Sequence, residues 1–295
     1  MAETGNAIKG VGLVVAATLL FAGADVLGKS LVTTYSVVLV MAMRYLVNVG
    51  LLTIVLGPSQ GAALWRTHRT FWVVVRGLCL AVGSLTMGMA LRVMPVGETV
   101  AIIYLAPILV LLLAGLVLGE RVPPAGWIGA VVGFAGVLVI VRPGTGLDPW
   151  GVTLCLINAG MATGYHLLTK VLGRTETMTA MLFHTALIGA VVFWLMIGAS
   201  GVTLWPGWRD LALMGVLGVL ATVGPFLFTA AYREAPASLL APVNYLHLVW
   251  AAALGAVVFG HIPDRVTLVG MAMVAGAGVA VALRAQFGPR PDQAL

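Results

Sequence analysis

The fold of this chain is decided by two matching stretches, AIIYLAPILVLLLAGLVLGE at residues 101–120 and PVNYLHLVWAAALGAVVFGH at residues 242–261. Shifted by 141 positions, Tyr104-Leu105 falls on Tyr245-Leu246, and Gly119 falls on Gly260. The same shift superimposes further pairs: Gly10 on Gly151, Gly23 on Gly164, Lys29 on Lys170, Gly77 on Gly218, Arg92 on Arg233 and Gly129 on Gly270. The chain is therefore an internal repeat with one copy directly following the other.

The composition is that of an integral membrane protein. Of 295 residues, 61% are hydrophobic and only 9% are charged, whereas a soluble domain carries about 25% charged residues. No loop is long enough for a soluble domain, so a single membrane domain in the lipid bilayer is expected. The net charge of +6 comes from basic residues spread singly over short loops, which indicates membrane topology rather than nucleic-acid binding.

Apolar runs of about 20 residues predict an all-α fold of ten transmembrane helices. Five helices per copy is an odd number, so the second copy would lie inverted relative to the first, around a central cavity. The first repeat covers 8–142 and the second 150–285. The predicted helices are 8–30, 34–56, 71–91, 96–118, 125–142, 150–171, 178–198, 209–232, 237–259 and 265–285.

The distribution of basic residues predicts the orientation. Ten fall on the side of the N-terminus and five on the other, which favours both termini in the cytoplasm. The first group is Lys9, Arg66, Arg69, Arg76, Arg121, Lys170, Arg174, Arg233, Arg284 and Arg290. The second is Lys29, Arg92, Arg142, Arg209 and Arg265.

Signatures of enzymes and metal sites are missing from the sequence. There is no nucleophile elbow, no HExxH and no phosphate-binding loop, so neither an enzyme nor an ATP-driven pump is expected. Cys79 and Cys155 lie inside apolar runs, and the histidines have no metal-ligand spacing. We expect no cofactor and no metal.

The sequence resembles the EamA family of the drug/metabolite transporter superfamily over nearly its whole length. The motifs of the first copy are Ala90-Leu91, Pro107, Leu118-Gly119-Glu120-Arg121, Gly129 and Gly136-Val137, with Lys29 and Arg44 also matching. Those of the second are Ala231, Pro236, Ser238, Pro242, Gly260 and Gly270. The chain departs from the family pattern at Phe21-Ala22 and at Gly260-His261. The resemblance implies a ten-helix exporter of small metabolites, with bacterial amino-acid exporters among its members.

Polar side chains at membrane depth are the candidate substrate ligands, because each is costly in hydrocarbon. They are Thr18, Asp25, Ser84, Tyr104, Asn158, Tyr165, Asn244, His247 and Trp250. For each, packing between helices is the alternative; for Asn158 that means a hydrogen bond to a neighbouring helix. Together they predict a polar cavity able to hold the charged ends of an amino acid, with an apolar side-chain pocket beside it.

Asp25 and Arg44 have two interpretations each, and His166 is a further titratable candidate. Asp25 can bind a substrate ammonium group or a coupling proton, or it can pair with Lys29 one helical turn away. Arg44 can contact an anion or hold neighbouring carbonyls. His166, the repeat counterpart of Asp25, titrates near neutrality but lies one turn from a lysine. Proton coupling and facilitated diffusion both stay open.

Backbone features suggest where helices bend and where they pack closely. Pro107, Pro225 and Pro242 each remove a backbone donor and are candidate hinges or static kinks. Glycines 129, 133 and 136 make a small-residue face for close helix packing.

The predicted function is export of small metabolites, amino acids first, by alternating access in a monomer or homodimer. The alternatives are a sugar-phosphate or nucleotide-sugar carrier, which would need several deep basic residues, and a non-transporting membrane enzyme or helper subunit.

Overall fold

A computed structural model describes residues 2–118, 124–142, 147–200, 204–235 and 237–287. The described residues form twelve α-helices, with a short 3-10 turn at Gly61–Leu64. The first six are α1 (Ala2–Thr34), α2 (Val37–Gln60), α3 (Thr70–Val93), α4 (Val96–Ile103), α5 (Leu105–Leu118) and α6 (Pro124–Val141). The second six are α7 (Pro149–Leu172), α8 (Met178–Ser200), α9 (Trp208–Glu234), α10 (Ala237–Asn244), α11 (Leu246–Phe259) and α12 (Arg265–Phe287).

Helices cover each of the ten predicted segments. Within the described ranges, five helical stretches are long and apolar enough to cross a membrane by themselves, namely 8–34, 37–64, 70–93, 178–199 and 208–234. Shorter apolar stretches lie at 96–110, 127–141, 246–259 and 265–280. The chain is therefore a multi-pass helical membrane protein.

The predicted fourth and ninth helices are each divided in two, at Tyr104 and at Tyr245. These tyrosines are repeat counterparts, so both copies break at the same place. Pro107 explains the first break, since it has no N–H to donate to the Ile103 carbonyl four residues earlier. The second copy has Leu248 at that position, and its N–H donates to the Tyr245 carbonyl at 3.1 Å, one residue closer than in an α-helix.

Helix contacts between the two copies come in exchanged pairs. The first helix of each copy packs on the third helix of the other, as α1 on α9 and α3 on α7. The two second helices pack on each other as α2 on α8, and the two fifth helices as α6 on α12. The first helix of each copy also packs on both halves of the other copy's broken helix. Neither copy therefore forms a core by itself.

The contact between α6 and α12 depends on glycine. A Cβ at Gly136 would lie 2.9 Å from the Gly270 carbonyl oxygen, and one at Gly270 would lie 2.8 Å from the Gly136 oxygen. A Cβ at Gly133 would overlap the end of the Ile108 side chain. The small-residue face predicted from the sequence therefore packs where the backbones of the two fifth helices come closest.

Arg76, counted among the basic residues on the side of the N-terminus, lies inside α3, within the predicted helix 71–91, and is fully buried. Its Nε donates to Thr169 Oγ1 at 2.7 Å, and its terminal nitrogens reach Thr185 and the Met181 carbonyl on α8. A terminal nitrogen also donates to the Tyr165 hydroxyl at 2.6 Å, and the guanidinium carbon lies 4.1 Å from that ring's centre. Arg76 therefore joins α3 to α7 and α8.

Polar groups also fix the helix ends outside the membrane spans. Tyr35, between α1 and α2, donates to Asp210 Oδ2 at 2.5 Å. Donation to this carboxylate raises the pKa of Tyr35, because the bond favours the protonated phenol. Asp264 precedes α12 and accepts the Thr267 N–H at 2.7 Å, which is an N-cap contact. The Arg142 guanidinium, which donates to Asp264 at 2.6 Å, holds the pKa of that carboxyl well below its usual range.

Candidate functional site

The helix breaks bring together three polar side chains from three helical segments. His247 on α11 places Nε2 2.9 Å from Asp25 Oδ2 on α1. Its Nδ1 lies 3.2 Å from the hydroxyl of Tyr104, and that hydroxyl donates to the Asn244 carbonyl at 3.0 Å. The Asn244 carbonyl is available because the Leu248 N–H is directed to Tyr245. We call Asp25, His247 and Tyr104 the central cluster.

Proton positions link the members of the central cluster. If Tyr104 donates its only proton to Asn244, then Nδ1 of His247 must carry a proton to bond the phenol oxygen. Nε2 and the Asp25 oxygen share one proton across the 2.9 Å contact, whichever of the two groups carries it. If Nδ1 carries no proton, it can accept from Tyr104 instead, and the phenol then no longer donates to the Asn244 carbonyl. A change of proton at Nδ1 therefore changes the hydrogen bonds at the first helix break.

Aromatic rings surround the central cluster. The ring of Phe21 meets His247 edge-on with centroids 5.8 Å apart, and the rings of Tyr104 and Tyr245 are 5.2 Å apart. The side chains of His247 and Asp25 keep 13% and 19% of their surface accessible, so the pair is open to water or to a small ligand. This combination of flat apolar rings with one acid suits a ligand that has both an aromatic and a polar part.

Three other predicted substrate ligands are occupied in packing. Asn158 Nδ2 donates to the Gly83 carbonyl at 2.5 Å, which is the hydrogen bond between helices weighed in the sequence analysis. Ser84 is buried against the Tyr45 hydroxyl at 2.8 Å. Thr18 is fully buried and donates to the Val15 carbonyl within its own helix. These contacts join or stabilise helices, and a role in substrate binding stays a prediction.

The remaining predicted polar positions lie in different surroundings. Tyr165 belongs to the Arg76 contacts, with the exposed His166 beside it. Trp250 is half-buried, and its buried Nε1 has no hydrogen-bond partner among the described residues. Arg44 is half-buried, and its buried Nε likewise lacks a described partner. Its terminal nitrogen lies 3.7 Å from the Met41 sulfur.

Lys29 forms no described bond with Asp25. Its Nζ donates to the carbonyls of Leu91 at 2.8 Å and Met94 at 2.5 Å, at the end of α3. In a continuing helix the Leu91 carbonyl would accept from residue 95, but Pro95 has no N–H. The lysine supplies the missing donor and a positive charge at a helix C-terminus, which is a stabilising position.

The predicted hinges lie at different places relative to the breaks. Pro107 lies in the first turn of α5, and Pro225 lies inside the continuous α9. Pro242 belongs to α10, but its side chain lies outside the described side chains. A hinge role stays a prediction for all three.

Known proteins resemble both copies of the repeat. The sequence pattern of the EamA-like transporter family matches residues 8–142 and again 149–283. The chain belongs to this family. A protein named S-adenosylmethionine uptake transporter, from Rickettsia felis, is 31% identical over 216 residues, covering 73% of this chain and 72% of its own. A protein named riboflavin transporter, from Rhizobium johnstonii, is 30% identical over 224 residues, covering 74% and 72%.

One solved structure shares the fold. Its TM-score is 0.64 at 20% identity, covering 97% of this chain and 98% of its own. Family and relatives together identify this EamA protein as a membrane transporter rather than an enzyme. The relatives' names mention S-adenosylmethionine and riboflavin and do not mention amino acids, so they lend no support to amino-acid export.

The partner of Asp25 was not predicted from the sequence. Asp25, Tyr104, Asn244 and His247 were separate candidates there, and the structure joins them into one chain of hydrogen bonds. Asp25 and His247 are 222 residues apart, and the repeat gives no clue, since the counterpart of Asp25 is His166. The repeat places Tyr104 on Tyr245, and this match was the one sequence signal for the positions of the helix breaks, where the central cluster lies.

Proposed function

We propose that this EamA protein works by alternating access in the bacterial inner membrane, with two inverted repeats, both termini in the cytoplasm and the substrate at the central cluster. The exchanged helix contacts support this proposal. A two-fold axis between the copies would pair the first helix of each copy with the third helix of the other in this way. The broken helices support it as well, since irregular backbone at membrane depth is tolerated where it lines a cavity or is covered by protein.

The topology has a direct test. Reporter tags inserted within residues 144–148 and fused after Leu295 should lie on opposite sides of the membrane. Five crossings separate the N-terminus from the first tag, and ten separate it from the second. Two tags on the same side would rule out the inverted arrangement.

We propose that the substrate is a small metabolite with a planar heteroaromatic ring. The observation that carries this is the set of rings around an accessible carboxylate, formed by Phe21, Tyr104, Tyr245 and His247 next to Asp25. The names of two relatives mention S-adenosylmethionine and riboflavin, and both compounds contain such a ring. A sugar-phosphate carrier is disfavoured because Arg76, the fully buried arginine, already donates to four protein groups.

Flux into proteoliposomes tests the substrate proposal. Purified protein should accumulate labelled S-adenosylmethionine or riboflavin faster than empty liposomes do, with each competing against the other if they share the site. A panel of labelled amino acids, measured as uptake and as efflux, tests amino-acid export at the same time. Flux of amino acids alone would refute the heteroaromatic proposal.

We also propose that a proton accompanies the substrate through Asp25 and His247. The support is the 2.9 Å contact between two titratable groups, one of which changes its hydrogen bonds when it loses a proton. Asp25→Asn should abolish accumulation driven by an imposed pH gradient and preserve downhill flux. Wild-type flux that ignores the pH gradient would leave facilitated diffusion as the mechanism.

A further inference from the structure

A second polar cavity lies away from the central cluster, where α3, α4 and α11 end or begin. Its volume is about 260 Å³, and none of the central cluster residues lines it. Its polar lining consists of Lys29, Arg92, Glu98 and His261, and its apolar wall includes Ala252 and Phe259. We call this cavity the peripheral pocket.

Glu98 is the unusual group in the peripheral pocket. It is only 3% exposed, and its Oε1 lies 2.9 Å from His261 Nε2. Its other oxygen, Oε2, is buried and has no hydrogen-bond partner among the described residues. Glu98 also lies in the first turn of α4, where the helix dipole favours a carboxylate. A buried carboxylate oxygen without a donor is costly, so Glu98 Oε2 is a position where a water molecule or a donor group of a ligand would bind.

Lys29 and Arg92, the two basic side chains of the peripheral pocket, differ in whether they can donate to a ligand. Lys29 already donates to two carbonyls. Arg92 is exposed at the pocket, and no hydrogen bond from the described part of the chain holds its guanidinium. A guanidinium offers paired donors that match a carboxylate. The pocket therefore offers an acceptor at Glu98 and a donor group at Arg92.

The charge balance selects the kind of ligand. Apart from His261, which is bonded to Glu98, the lining has two basic side chains, Lys29 and Arg92, and one acidic side chain, Glu98. A simple cation would meet two like charges, and a simple anion would leave Glu98 Oε2 without a donor. A zwitterion satisfies both groups, with its ammonium at Glu98 and its carboxylate at Arg92. The volume of about 260 Å³ is several times the roughly 30 Å³ share of one water molecule, which leaves room for such a group.

We propose that the peripheral pocket binds the zwitterionic α-amino-acid group of a metabolite, as a site separate from the central cluster. The apolar wall of Ala252 and Phe259 receives the carbon atoms next to that group. One part of this inference rests on the proposed function. It is that the ligand is a transported compound, which occupies the pocket on its way to or from the central cluster.

Three probes of one shape test the proposal on the whole protein in lipid nanodiscs. L-leucine carries both charges, isocaproate lacks the ammonium group and leucinamide lacks the carboxylate. The wild type should bind L-leucine at least about tenfold more tightly than either of the others, because each charged hydrogen bond contributes roughly that factor.

Two variants assign the groups. Glu98→Gln should weaken L-leucine binding about tenfold or more and leave isocaproate binding unchanged. Arg92→Gln should weaken L-leucine binding and leave leucinamide binding unchanged; because Arg92 is exposed, this variant is expected to fold. Glu234→Gln is the matched control, since Glu234 pairs with Lys9 at the opposite end of α1 from Lys29.

Several results would overturn the proposal. They are equal binding of L-leucine and isocaproate by the wild type, equal loss of all three probes in Arg92→Gln, or no binding at all. Flux in the proteoliposome assay keeps the outcomes apart. Transport of a heteroaromatic metabolite without selective leucine binding would remove the peripheral pocket alone, whereas selective binding without any flux would refute the proposed function and leave the pocket in place.

Discussion

Removal of one hydroxyl group tests whether the first helix break is held by Tyr104. In Tyr104→Phe the ring and its apolar contacts remain, and only the oxygen is lost. That oxygen has two partners, the Asn244 carbonyl at 3.0 Å and His247 Nδ1 at 3.2 Å. The variant therefore isolates the polar part of the contact between the two broken helices.

The expected magnitude follows from what each partner can do afterwards. The imidazole of His247 keeps 13% of its side chain accessible and can turn to water. The Asn244 carbonyl has no backbone donor at the break, because the Leu248 N–H donates to Tyr245 instead. In Tyr104→Phe this carbonyl therefore loses its hydrogen-bond donor. Asn244 is half-buried, so the loss is that of an ordinary hydrogen bond, and we expect Tyr104→Phe to lower the free energy of unfolding by about 0.5–1.5 kcal/mol.

The repeat supplies a matched control at Tyr245. Its hydroxyl occupies the space where a side chain at Gly278 would lie, and it has no hydrogen-bond partner in the described part of the chain. Tyr245→Phe should therefore change the stability by less than about 0.5 kcal/mol. A thiol-reactive dye can follow thermal unfolding, because Cys155 is fully buried and becomes reactive when the helices separate. Equal shifts for the two variants would refute the assignment of the hydroxyl bond.

Two further predictions concern helix packing and pH. Gly136→Leu should prevent folding or lower the midpoint of thermal unfolding strongly, because even a Cβ would lie 2.9 Å from the Gly270 oxygen; a normal midpoint would show that α6 and α12 can separate. The lowered pKa of Asp264 means that its bond to Arg142 stabilises the fold above the ordinary aspartate pKa of about 3.9, and that this stabilisation is lost as the pH falls. Asp264→Asn keeps the N-cap but removes the charge, so the variant should unfold at a lower midpoint than the wild type near neutral pH. This difference between the two midpoints should become smaller as the pH is lowered. A difference that does not change with pH would contradict the prediction.

Helix positions could be predicted from the sequence because each helix is an apolar run bounded by turn residues. Pro143-Gly144 and Trp205-Pro206-Gly207 mark such boundaries, and the structure begins α7 and α9 within a few residues of the predicted starts. The breaks at Tyr104 and Tyr245 were not predicted. Pro107, a candidate kink in the sequence, marks the first break without giving its position at Tyr104. The second break has no such proline, since Leu248 lies at the equivalent position, and it arises from a redirected backbone hydrogen bond inside an apolar run.

Partners of deep polar groups could be predicted even less. Arg76 was used in the sequence analysis only for its charge near the start of the third helix, whereas its partners come from α7 and α8, about a hundred residues further along the chain. Asn158 was assigned to the cavity, with packing as the alternative, and its amide bonds to Gly83 on another helix. A single sequence identifies which side chains need a partner, whereas the partner depends on how distant helices meet.

The two tyrosines at the helix breaks make the central cluster asymmetric although they are repeat counterparts. Tyr104 bonds to the backbone of the other copy, while the Tyr245 hydroxyl fills the space beside Gly278. One copy supplies the phenol and the carboxylate, and the other supplies the imidazole and the carbonyl. A single substitution in either copy therefore changes one component of this cluster and leaves the components from the other copy in place.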